Sequence, residues 1–308
     1  LTWPVLYPPL WPAYAEMAEA ISEVARADIL VTDSAWAGAI ALYLERRGHI
    51  QGGQLRFVRV PVDDIWVRDY GPFVGFQADG TRAALDAVYH PLAAYPSAQD
   101  DIVPQRYAAL EHIPVRSLDI YTEGGNFWSD GRGTLLMTDG LYARNPQLDR
   151  AEVLRRLHAA FAFDKLILVD SVKGEHTGHV DLVFKLADAR TVLLNAPSLF
   201  LNRSRLERTR HVLERETNAA GEPYRLFELP ALAPYLNWGA YTIWRGYTNS
   251  LTVNGRVLVP VFRAAQDKQA LAVYKRAMPG YEIIPIDCAA AANGGGAVHC
   301  LTKEIVRG

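Results

Sequence analysis

The sequence predicts an α/β protein in which short strands alternate with amphipathic helices. Short runs rich in β-branched and other apolar residues recur along the 308 residues, bounded by glycine, proline, asparagine or aspartate. Between these runs lie stretches whose apolar residues follow the helical spacing. No Ser/Gly-rich linker, charge block or low-complexity segment separates the units. We therefore predict a single domain, residues 1–308, built of repeated strand–hairpin–helix units.

Two strands are predicted early in the chain, and a break in the backbone interrupts the second. Residues 56–62 and 65–76 read as strands, and Gly71-Pro72 interrupts the second of them. The run 126–139 has Asp130-Gly131 between two apolar halves, which predicts a hairpin.

A helix, further strands and a second helix are predicted in the middle of the chain. The first helix is indicated by apolar residues at helical spacing, namely Leu148, Val153, Leu154, Leu157 and Phe161. A short strand at 166–169 follows, and then a strand pair at 179–186 and 191–195. A long polar helix is predicted over about 198–219.

The last part of the chain repeats the same unit. Residues 248–262 predict a hairpin, because Asn254-Gly255 supplies the positive φ angles of a tight turn. A helix over about 264–277 and a strand at 282–286 follow. A final strand near 297–302 would contain Cys300.

Composition limits the classes of function. The net charge is −2 and the basic residues are scattered, so no nucleic-acid partner is expected. No apolar run has the roughly 20 residues that cross a bilayer, and no membrane partner is expected. Two cysteines, Cys288 and Cys300, are too few for a disulfide scaffold. The cytoplasm is the default compartment, and a homo-oligomer is expected because closed homo-oligomers are common.

Cys300 is the more approachable of the two thiols. It follows Gly294, Gly295 and Gly296, which remove side chains and permit unusual backbone angles. A ligand could therefore reach this sulfur. The alternative is an ordinary buried thiol, since free cysteine is among the most buried residue types. Cys288, after an apolar strand, keeps that structural interpretation.

His179 and Asp181 form a second candidate group. On a strand, residues two apart point to the same face, so both side chains would project together while Val180 and Leu182 enter the core. An imidazole beside a carboxylate suits acid–base catalysis or cation recognition. A purely structural His–Asp pair is the alternative.

A metal site is the competing interpretation of the same segment. His176, His179 and Asp181 together could ligate zinc in a metal-dependent hydrolase. However, His176 and His179 are three residues apart and would face opposite sides of a continuous strand. No other His/Cys/Asp group has ligand spacing, so we predict no metal.

Two further segments are candidate substrate contacts. Asp69, between Arg68 and Tyr70 and close to Trp66, could bind a cation through its carboxylate while a ring covers the cation. A local Arg68–Asp69 salt bridge is the alternative. In the segment 123–126 (EGGN), two glycines allow close backbone approach, and Glu123 would either cap loop amides or help line the site.

Several motifs, in this order, resemble the agmatine deiminase and bacterial peptidyl-arginine deiminase family. The opening Thr2-Trp3-Pro4 is similar to that family's early segment. The other matching stretches are WVRDYGP at 66–72, EGGN at 123–126, TGHVD at 177–181, YTNSLTVNGRVLVPVF at 247–262 and GGGAVHC at 294–300. The resemblance implies the pentein fold, a pseudo-fivefold α/β propeller of strand–hairpin–helix units around a central active site.

The resemblance also implies roles for the catalytic candidates. Cys300 would attack a guanidinium carbon, His179 would protonate the departing amine, and Asp69 and Asp181 would hold the guanidinium nitrogens. These roles are chemically consistent, because carboxylates bind the planar guanidinium in a fork and the attacking group must be a thiolate. No metal or organic cofactor is required. The implied partner is a small guanidino compound, with agmatine and hence polyamine biosynthesis as the lead.

The sequence departs from both better-known branches of the family at the far end of the substrate. Residues 88–95 contain no arginine that could grip the terminal carboxylate of a peptide, and EGGNFWSDG stands where the agmatine enzymes typically read EGGSIHVDG. Alternative substrates are a guanidine-like heterocycle and free or peptidyl arginine. Amidino transfer and a non-catalytic guanidine-binding protein also stay open. The predicted substrate-binding residues are Trp66, Arg68, Glu123, Asn126, Trp128 and Trp244, with Tyr89 as a further candidate.

Overall fold

The computed structural model describes residues 1–48, 54–89, 95–174, 177–197, 202–237 and 241–307. The chain divides into two compact units. Unit 1 comprises residues 1–124 together with the segment from Cys300 onward, and unit 2 comprises residues 125–299. The chain passes from one unit to the other at Gly124-Gly125 and at His299-Cys300, inside two of the motifs. The single domain stays a prediction.

Unit 1 contains five strands and five helices in its described residues. The strands are β1 (Ala27–Val31), β2 (Leu55–Arg59), β3 (Phe73–Phe76), β4 (Arg82–Val88) and β5 (Val115–Tyr121). The helices are α1 (Trp11–Ser22), α2 (Ser34–Arg46), α3 (Val67–Tyr70), α4 (Ala98–Asp101) and α5 (Val103–Glu111), and a 3-10 turn spans Pro8–Leu10.

Unit 2 contains the remaining elements. Its described strands are β6 (Trp128–Ser129), β7 (Thr134–Thr138), β8 (Lys165–Val169), β9 (Phe184–Leu186), β10 (Thr191–Asn195), β11 (Arg225–Leu229), β12 (Tyr235–Asn237), β13 (Tyr241–Ile243), β14 (Leu251–Val253), β15 (Arg256–Val261) and β16 (Glu282–Asp287). Its helices are α6 (Gly140–Arg144), α7 (Arg150–Ala160), α8 (Arg203–Arg215) and α9 (Asp267–Ala277), with 3-10 turns at Val180–Leu182 and Ala291–Gly294; a further 3-10 turn, Gly124–Asn126, begins one residue before the unit.

One sheet pattern recurs in both units. In the sheets β3-β4-β5, β6-β7-β8, β9-β10-β11 and β14-β15-β16, the middle strand pairs antiparallel with its predecessor and parallel with its successor. A parallel pair requires a crossover, and α5, α7, α8 and α9 supply it. β1 and β2 form a parallel pair joined through α2. The predicted strand–hairpin–helix unit is confirmed.

The predicted hairpins are confirmed where turn residues specify them. Asn254 and Gly255 have φ of 37° and 85°, between β14 and β15. Gly131 has φ of 65° in the turn between β6 and β7. These positive φ angles are the conformations that asparagine and glycine tolerate best.

The predicted strand over 65–76 is wrong in its first half. Val67–Tyr70 forms a helical turn, because the Asp69 N–H donates to the Trp66 carbonyl (3.0 Å) and the Gly71 N–H to that of Val67 (2.9 Å). Only Phe73–Phe76, after the Gly71-Pro72 break, is a strand. Asp69 is therefore presented by a tight turn.

Two further predicted strands are corrected. In the segment 179–186, residues Val180–Leu182 form a 3-10 turn closed by the Val183 N–H donating to the Val180 carbonyl (2.9 Å), and the strand begins at Phe184. The prediction that His179 and Asp181 share a strand face is therefore wrong. The segment 297–302 forms turns and no strand.

Helices lie where they were predicted, with shorter bounds. The helix expected from Leu148 to Phe161 spans Arg150–Ala160 and buries Val153 and Leu157 completely. The long polar helix spans Arg203–Arg215, and residues 198–201 at its predicted start lie outside the described residues. Among the described residues, no helix combines the length and the apolarity that crossing a membrane requires.

Candidate active site

Cys300 lies in unit 1, where its segment is hydrogen-bonded to the turn that contains Asp69. Cys300 is buried, with 6% of the residue's surface exposed to solvent. Its carbonyl oxygen accepts a hydrogen bond from the Arg68 N–H (3.3 Å). Asp69, the next residue, is half-buried. The structure thus brings the candidate nucleophile's backbone beside the α3 turn.

Close packing at Gly71 and hydrogen bonds of Tyr70 fix the α3 turn. A Cβ atom at Gly71 would lie 2.5 Å from the Val67 carbonyl oxygen, so only glycine fits at the end of this turn. The Tyr70 hydroxyl is buried and donates to the Asp64 carbonyl (2.8 Å). The same hydroxyl lies 2.6 Å from the hydroxyl of Thr2. These contacts anchor Tyr70, the residue after Asp69, at the end of the turn.

Acidic residues surround the start of the turn. Asp100 is 1% exposed and accepts hydrogen bonds from the backbone N–H groups of Asp63 (2.7 Å) and Asp64 (3.4 Å). Burial outweighs these hydrogen bonds and raises the pKa of Asp100 to about 7. Burial also raises the pKa of Asp64, although the Trp66 side chain hydrogen-bonds its carboxylate. The Trp66 side chain therefore has a hydrogen-bond partner, the Asp64 carboxylate, within this loop.

Tyr89 and Glu123 lie in the same part of unit 1 as Asp69. Tyr89 is 6% exposed, and its ring centroid is 5.6 Å from that of Tyr70. Burial raises the pKa of Tyr89, and the negative charges of Asp69 and Glu123 raise it further. Glu123 is 5% exposed. Asp69, Tyr89 and Glu123 therefore lie near enough to one another to interact electrostatically.

Lys303 is a residue that the sequence reasoning missed. Its ammonium group donates to the Arg68 carbonyl oxygen (3.2 Å) and lies 3.9 Å from the ring centroid of Phe73. Burial lowers its pKa to about 7, and the positive charge of Arg68 acts in the same direction, while Glu304 and Asp69 oppose it. The side chain thus places a titratable cation beside the α3 turn.

The Arg68 guanidinium is engaged by the chain itself. Arg68 is 6% exposed and forms an ion pair with Glu304, at an N–O distance of 2.5 Å. The positive charge of Arg68 lowers the pKa of Glu304 against the effect of burial. This ion pair ties the segment after Cys300 to the turn.

His179 lies in unit 2, at the start of a buried turn. It is 2% exposed, and its N–H donates to the Thr177 hydroxyl (3.3 Å). Gly178 before it has φ of 69°, which favours glycine. The Thr138 hydroxyl donates to the Gly178 carbonyl (2.6 Å), and the Thr138 backbone N–H donates to the Asn126 side-chain oxygen (3.0 Å). Asn126 thus supports the backbone that positions His179.

Asp181 is fully buried and held by two side chains. Its Oδ2 lies 2.7 Å from Nδ1 of His299 and accepts a hydrogen bond from Nδ2 of Asn249 (3.0 Å). The Ala297 N–H donates to the Asn249 side-chain oxygen (3.1 Å), and the His299 N–H to the Asn249 carbonyl (3.1 Å). His299 and Asn249 were both missed, because nothing local in the sequence connects them with Asp181.

Trp128 stacks against this network. Its ring centroid lies 4.7 Å from that of His299, and its indole N–H donates to the Phe184 carbonyl (2.9 Å). The ammonium group of Lys185 lies 5.0 Å from the same ring and donates to the Ser250 carbonyl (3.0 Å). Trp128 therefore contacts the residue that holds Asp181.

The remaining candidates are distributed as follows. Trp244 is half-buried and lines a pocket of unit 2. Cys288 is fully buried, which fits a structural thiol. His176 of the metal hypothesis lies outside the described residues. Among the residues that are described, no group of three or more His, Cys, Asp or Glu side chains could hold a metal ion. Unit 1 therefore contains Cys300, Asp69, Arg68, Trp66 and Glu123, and unit 2 contains His179, Asp181, Asn126, Trp128 and Trp244.

Comparison with known protein families shows which family this chain belongs to. Residues 1–305 match the Porphyromonas-type peptidyl-arginine deiminase family. The chain belongs to this family. Membership confirms the resemblance seen in the motifs and the predicted enzyme class, a deiminase that hydrolyses amidine C–N bonds. The agmatine deiminase of Pseudomonas aeruginosa is 28% identical over 328 residues, which cover 95% of this chain and 87% of that protein.

Solved structures of deiminases share the fold of this family member. A protein of Porphyromonas gingivalis, assigned as an arginine deiminase, is 26% identical and has a TM-score of 0.84, covering 97% of this chain and 90% of that one. The agmatine deiminase of Enterococcus faecalis is 22% identical with a TM-score of 0.85, covering 97% of this chain and 88% of that one. The predicted pentein α/β fold is confirmed.

Proposed function

We propose that the chain is a cysteine-dependent deiminase of a small guanidino compound, with Cys300 as nucleophile and agmatine as the lead substrate. One observation carries the proposal: the Arg68 N–H donates to the Cys300 carbonyl (3.3 Å). This contact joins the thiol's segment to the turn that presents Asp69. A nucleophile beside a carboxylate able to bind a cation suits attack on a guanidinium. Relatives named as agmatine deiminases support the lead substrate.

Two carboxylates would bind the guanidinium. The α3 turn contains Asp69. The negative charges of Asp69 and Glu123 both act on the Tyr89 hydroxyl, so the three side chains lie near one another. Asp181 is held through one oxygen by His299 and Asn249. Fixed carboxylates suit fork-like binding of a planar guanidinium, which leaves the central carbon open to attack from above its plane.

The reaction would proceed through a covalent intermediate. The Cys300 thiolate forms an S–C bond to the guanidinium carbon, and a C–N bond then breaks as His179 gives a proton to the departing ammonia. The product of this half is a thiouronium on Cys300. Neutral His179 next takes one proton from water as the water oxygen attacks the same carbon. The C–S bond then breaks to return the thiolate, and the protonated product gives its remaining proton to solvent. The substrate's guanidine leaves as a urea.

Other predicted residues would support these groups. The ion pair of Arg68 with Glu304 favours a role in holding the α3 turn. Asn126 would position His179 through Thr138, and Trp128 would position His299 by stacking. Trp66, which hydrogen-bonds Asp64, would cover the guanidinium from the same turn.

An ammonia-release screen tests the proposal. The purified chain is offered agmatine, arginine, guanidinobutyrate, arginine peptides and cyclic guanidines, together with the variants Cys300→Ala and Cys288→Ala. We expect release from at least one small guanidino compound, near-complete loss in Cys300→Ala and retention in Cys288→Ala, whose thiol is fully buried. Equal turnover by Cys300→Ala and the parent would overturn the thiol mechanism.

Two additions to the screen separate the alternatives. A primary amine added to the assay would give a new guanidine product if the intermediate is resolved by amidino transfer. Loss of activity to a chelator, with stoichiometric zinc in the protein, would support the metal-dependent hydrolase instead.

A further inference from the structure

Lys303 has no role in the proposed chemistry, although its side chain meets the motifs WVRDYGP and EGGN of unit 1. Its ammonium group donates to the Arg68 carbonyl oxygen (3.2 Å). A Cβ atom at Gly124 would overlap that oxygen and come too close to the ammonium group, and one at Gly71 would lie 3.1 Å from the Lys303 Cγ atom. The side chain therefore fills a space that a glycine in each motif leaves open.

The segment that begins at Cys300 binds Arg68 at three points. The Arg68 N–H donates to the Cys300 carbonyl (3.3 Å), and the Arg68 guanidinium pairs with Glu304. The third contact is the hydrogen bond from Lys303 to the Arg68 carbonyl. This third contact is made to the peptide group that Arg68 shares with Asp69, so it acts on the backbone of the proposed substrate-binding carboxylate.

The orientation of this peptide group determines where the Asp69 side chain starts. A peptide bond is planar, so a contact that fixes the Arg68 carbonyl oxygen also fixes the Asp69 nitrogen in the same plane. The N–H of that nitrogen donates to the Trp66 carbonyl (3.0 Å). Two hydrogen bonds, one to the oxygen and one from the nitrogen, therefore set the plane from which Asp69 extends.

The Lys303 ammonium group also interacts with Asp69 through its charge. Burial and the positive charge of Arg68 lower the pKa of Lys303 to about 7, whereas the negative charges of Glu304 and Asp69 oppose this shift. The ammonium group lies 3.9 Å from the ring centroid of Phe73, which favours a cation at this position. A hydrogen bond from an ammonium group is roughly twice as strong as one between neutral groups. The contact to the Arg68 carbonyl therefore suits a firm anchor.

We infer that Lys303 is a positioning residue of the proposed deiminase, because its ammonium group fixes the Arg68 carbonyl and thereby the peptide that carries Asp69. This inference rests on the proposed function. Lys303 does not touch the substrate; it sets the direction in which the Asp69 carboxylate meets a planar cation. Without this anchor the carboxylate loses its fixed orientation, and the fork-like contact with the cation weakens.

Two alkylating reagents test the inference without knowledge of the substrate. 2-Chloroacetamidine has a planar, cationic amidinium group, and 2-chloroacetamide has the same skeleton with a neutral amide. Each reagent forms an S–C bond with a thiolate as its C–Cl bond breaks and chloride leaves. Mass spectrometry of the digested chain assigns the product to Cys300 or Cys288. The measured quantity, called the cation preference, is the rate of Cys300 alkylation by the amidine over that by the amide, divided by the same ratio for glutathione.

Four variants define the expected result. Asp69→Asn removes the carboxylate, and we expect the parent's cation preference to be at least tenfold above that of this variant. Lys303→Met removes the donor and keeps an unbranched side chain, and it should lower the preference at least fivefold. Lys303→Gln, whose amide can donate to the Arg68 carbonyl, should lie between Lys303→Met and the parent. Lys275→Met, the same change at an exposed lysine of α9, should equal the parent.

A purely structural role for Lys303 gives a different result. Loss of folded protein changes the rates of both reagents together and leaves their ratio unchanged, so a parental cation preference in Lys303→Met overturns the inference. A parent that shows no more preference than Asp69→Asn overturns it as well. If circular dichroism shows that Lys303→Met is unfolded, Lys303→Ser, which is too short to reach the Arg68 carbonyl, replaces it with the same expectation.

The alkylation experiment and the ammonia-release screen can fail independently. If no guanidine compound releases ammonia but Lys303→Met loses the cation preference, the positioning role stands and the proposed function fails. If the parent releases ammonia and Lys303→Met keeps the parental cation preference, the proposed function stands and the positioning role is wrong.

Discussion

Nδ1 of His299 lies 2.7 Å from Oδ2 of Asp181, and both side chains are almost fully buried. A carboxylate only accepts hydrogen bonds, so the Nδ1 atom carries the proton in this contact. The residue immediately before the proposed nucleophile therefore orients one of the carboxylates proposed to hold the substrate.

The first prediction concerns this contact. His299→Phe keeps a ring for stacking on Trp128 but removes the donor, and we expect kcat to fall at least tenfold and unfolding free energy to fall by about 1–3 kcal/mol. His299→Asn can place its amide nitrogen where Nδ1 lies, so it should retain more activity. Steady-state kinetics and urea unfolding measure both effects. Equal kcat in the two variants would contradict a role for the donor.

The second prediction concerns Lys303 and pH. Its pKa is about 7 in the folded chain against an ordinary value of 10.5. Between pH 7 and 10.5 the unfolded chain binds the extra proton, so raising the pH stabilises the fold. We expect the unfolding free energy of the parent to rise between pH 7 and 9.5 relative to that of Lys303→Met. Urea titrations measure it, with the exposed Lys275→Met as control; an identical pH slope in Lys303→Met and the parent contradicts the prediction.

The third prediction has the opposite sign. Burial raises the pKa of Asp100 from 3.8 to about 7. Between these values the folded chain binds the extra proton, so the stability from Asp100 is present below pH 4 and is lost as pH rises to 7. Asp100→Asn, whose side-chain oxygen can accept the same backbone N–H groups, should gain stability relative to the parent from pH 4 to 8. Chemical unfolding at several pH values checks this; a constant difference argues against it.

The fourth prediction compares two glycines. A Cβ atom at Gly124 would overlap the Arg68 carbonyl oxygen and approach the Lys303 ammonium group, whereas one at Gly38 meets no atom within 4 Å. We expect Gly124→Ala to lower the unfolding free energy by about 1–3 kcal/mol and Gly38→Ala, within α2, to raise it by about 0.5–1 kcal/mol. Thermal melts distinguish the two. Similar melting temperatures would show that the α3 turn tolerates the added methyl.

Features encoded by neighbouring residues were predictable from the sequence. The hairpin at Asn254-Gly255 is correct because the two turn residues themselves favour positive φ. The repeated units and α7 are correct because apolar spacing reflects which face is buried. Strand bounds near Asp69 and Asp181 were wrong, since hydrogen bonds within short turns replaced the extended backbone there.

Features that depend on distant residues could not be predicted. His299 is 118 positions from Asp181, and no periodicity links them. Lys303 looks like an ordinary surface lysine until the fold surrounds it with Arg68, Phe73 and Gly124.

The assignment of Cys300 to unit 1, although it follows the whole of unit 2 in the chain, has a consequence during synthesis. A ribosome makes residues 125–299 before it makes Cys300, so unit 2 can fold while unit 1 still lacks its closing segment. The backbone contact between Arg68 and Cys300 can form only afterwards. The Cys300 segment can therefore join the α3 turn only after residues 125–299 have been synthesised.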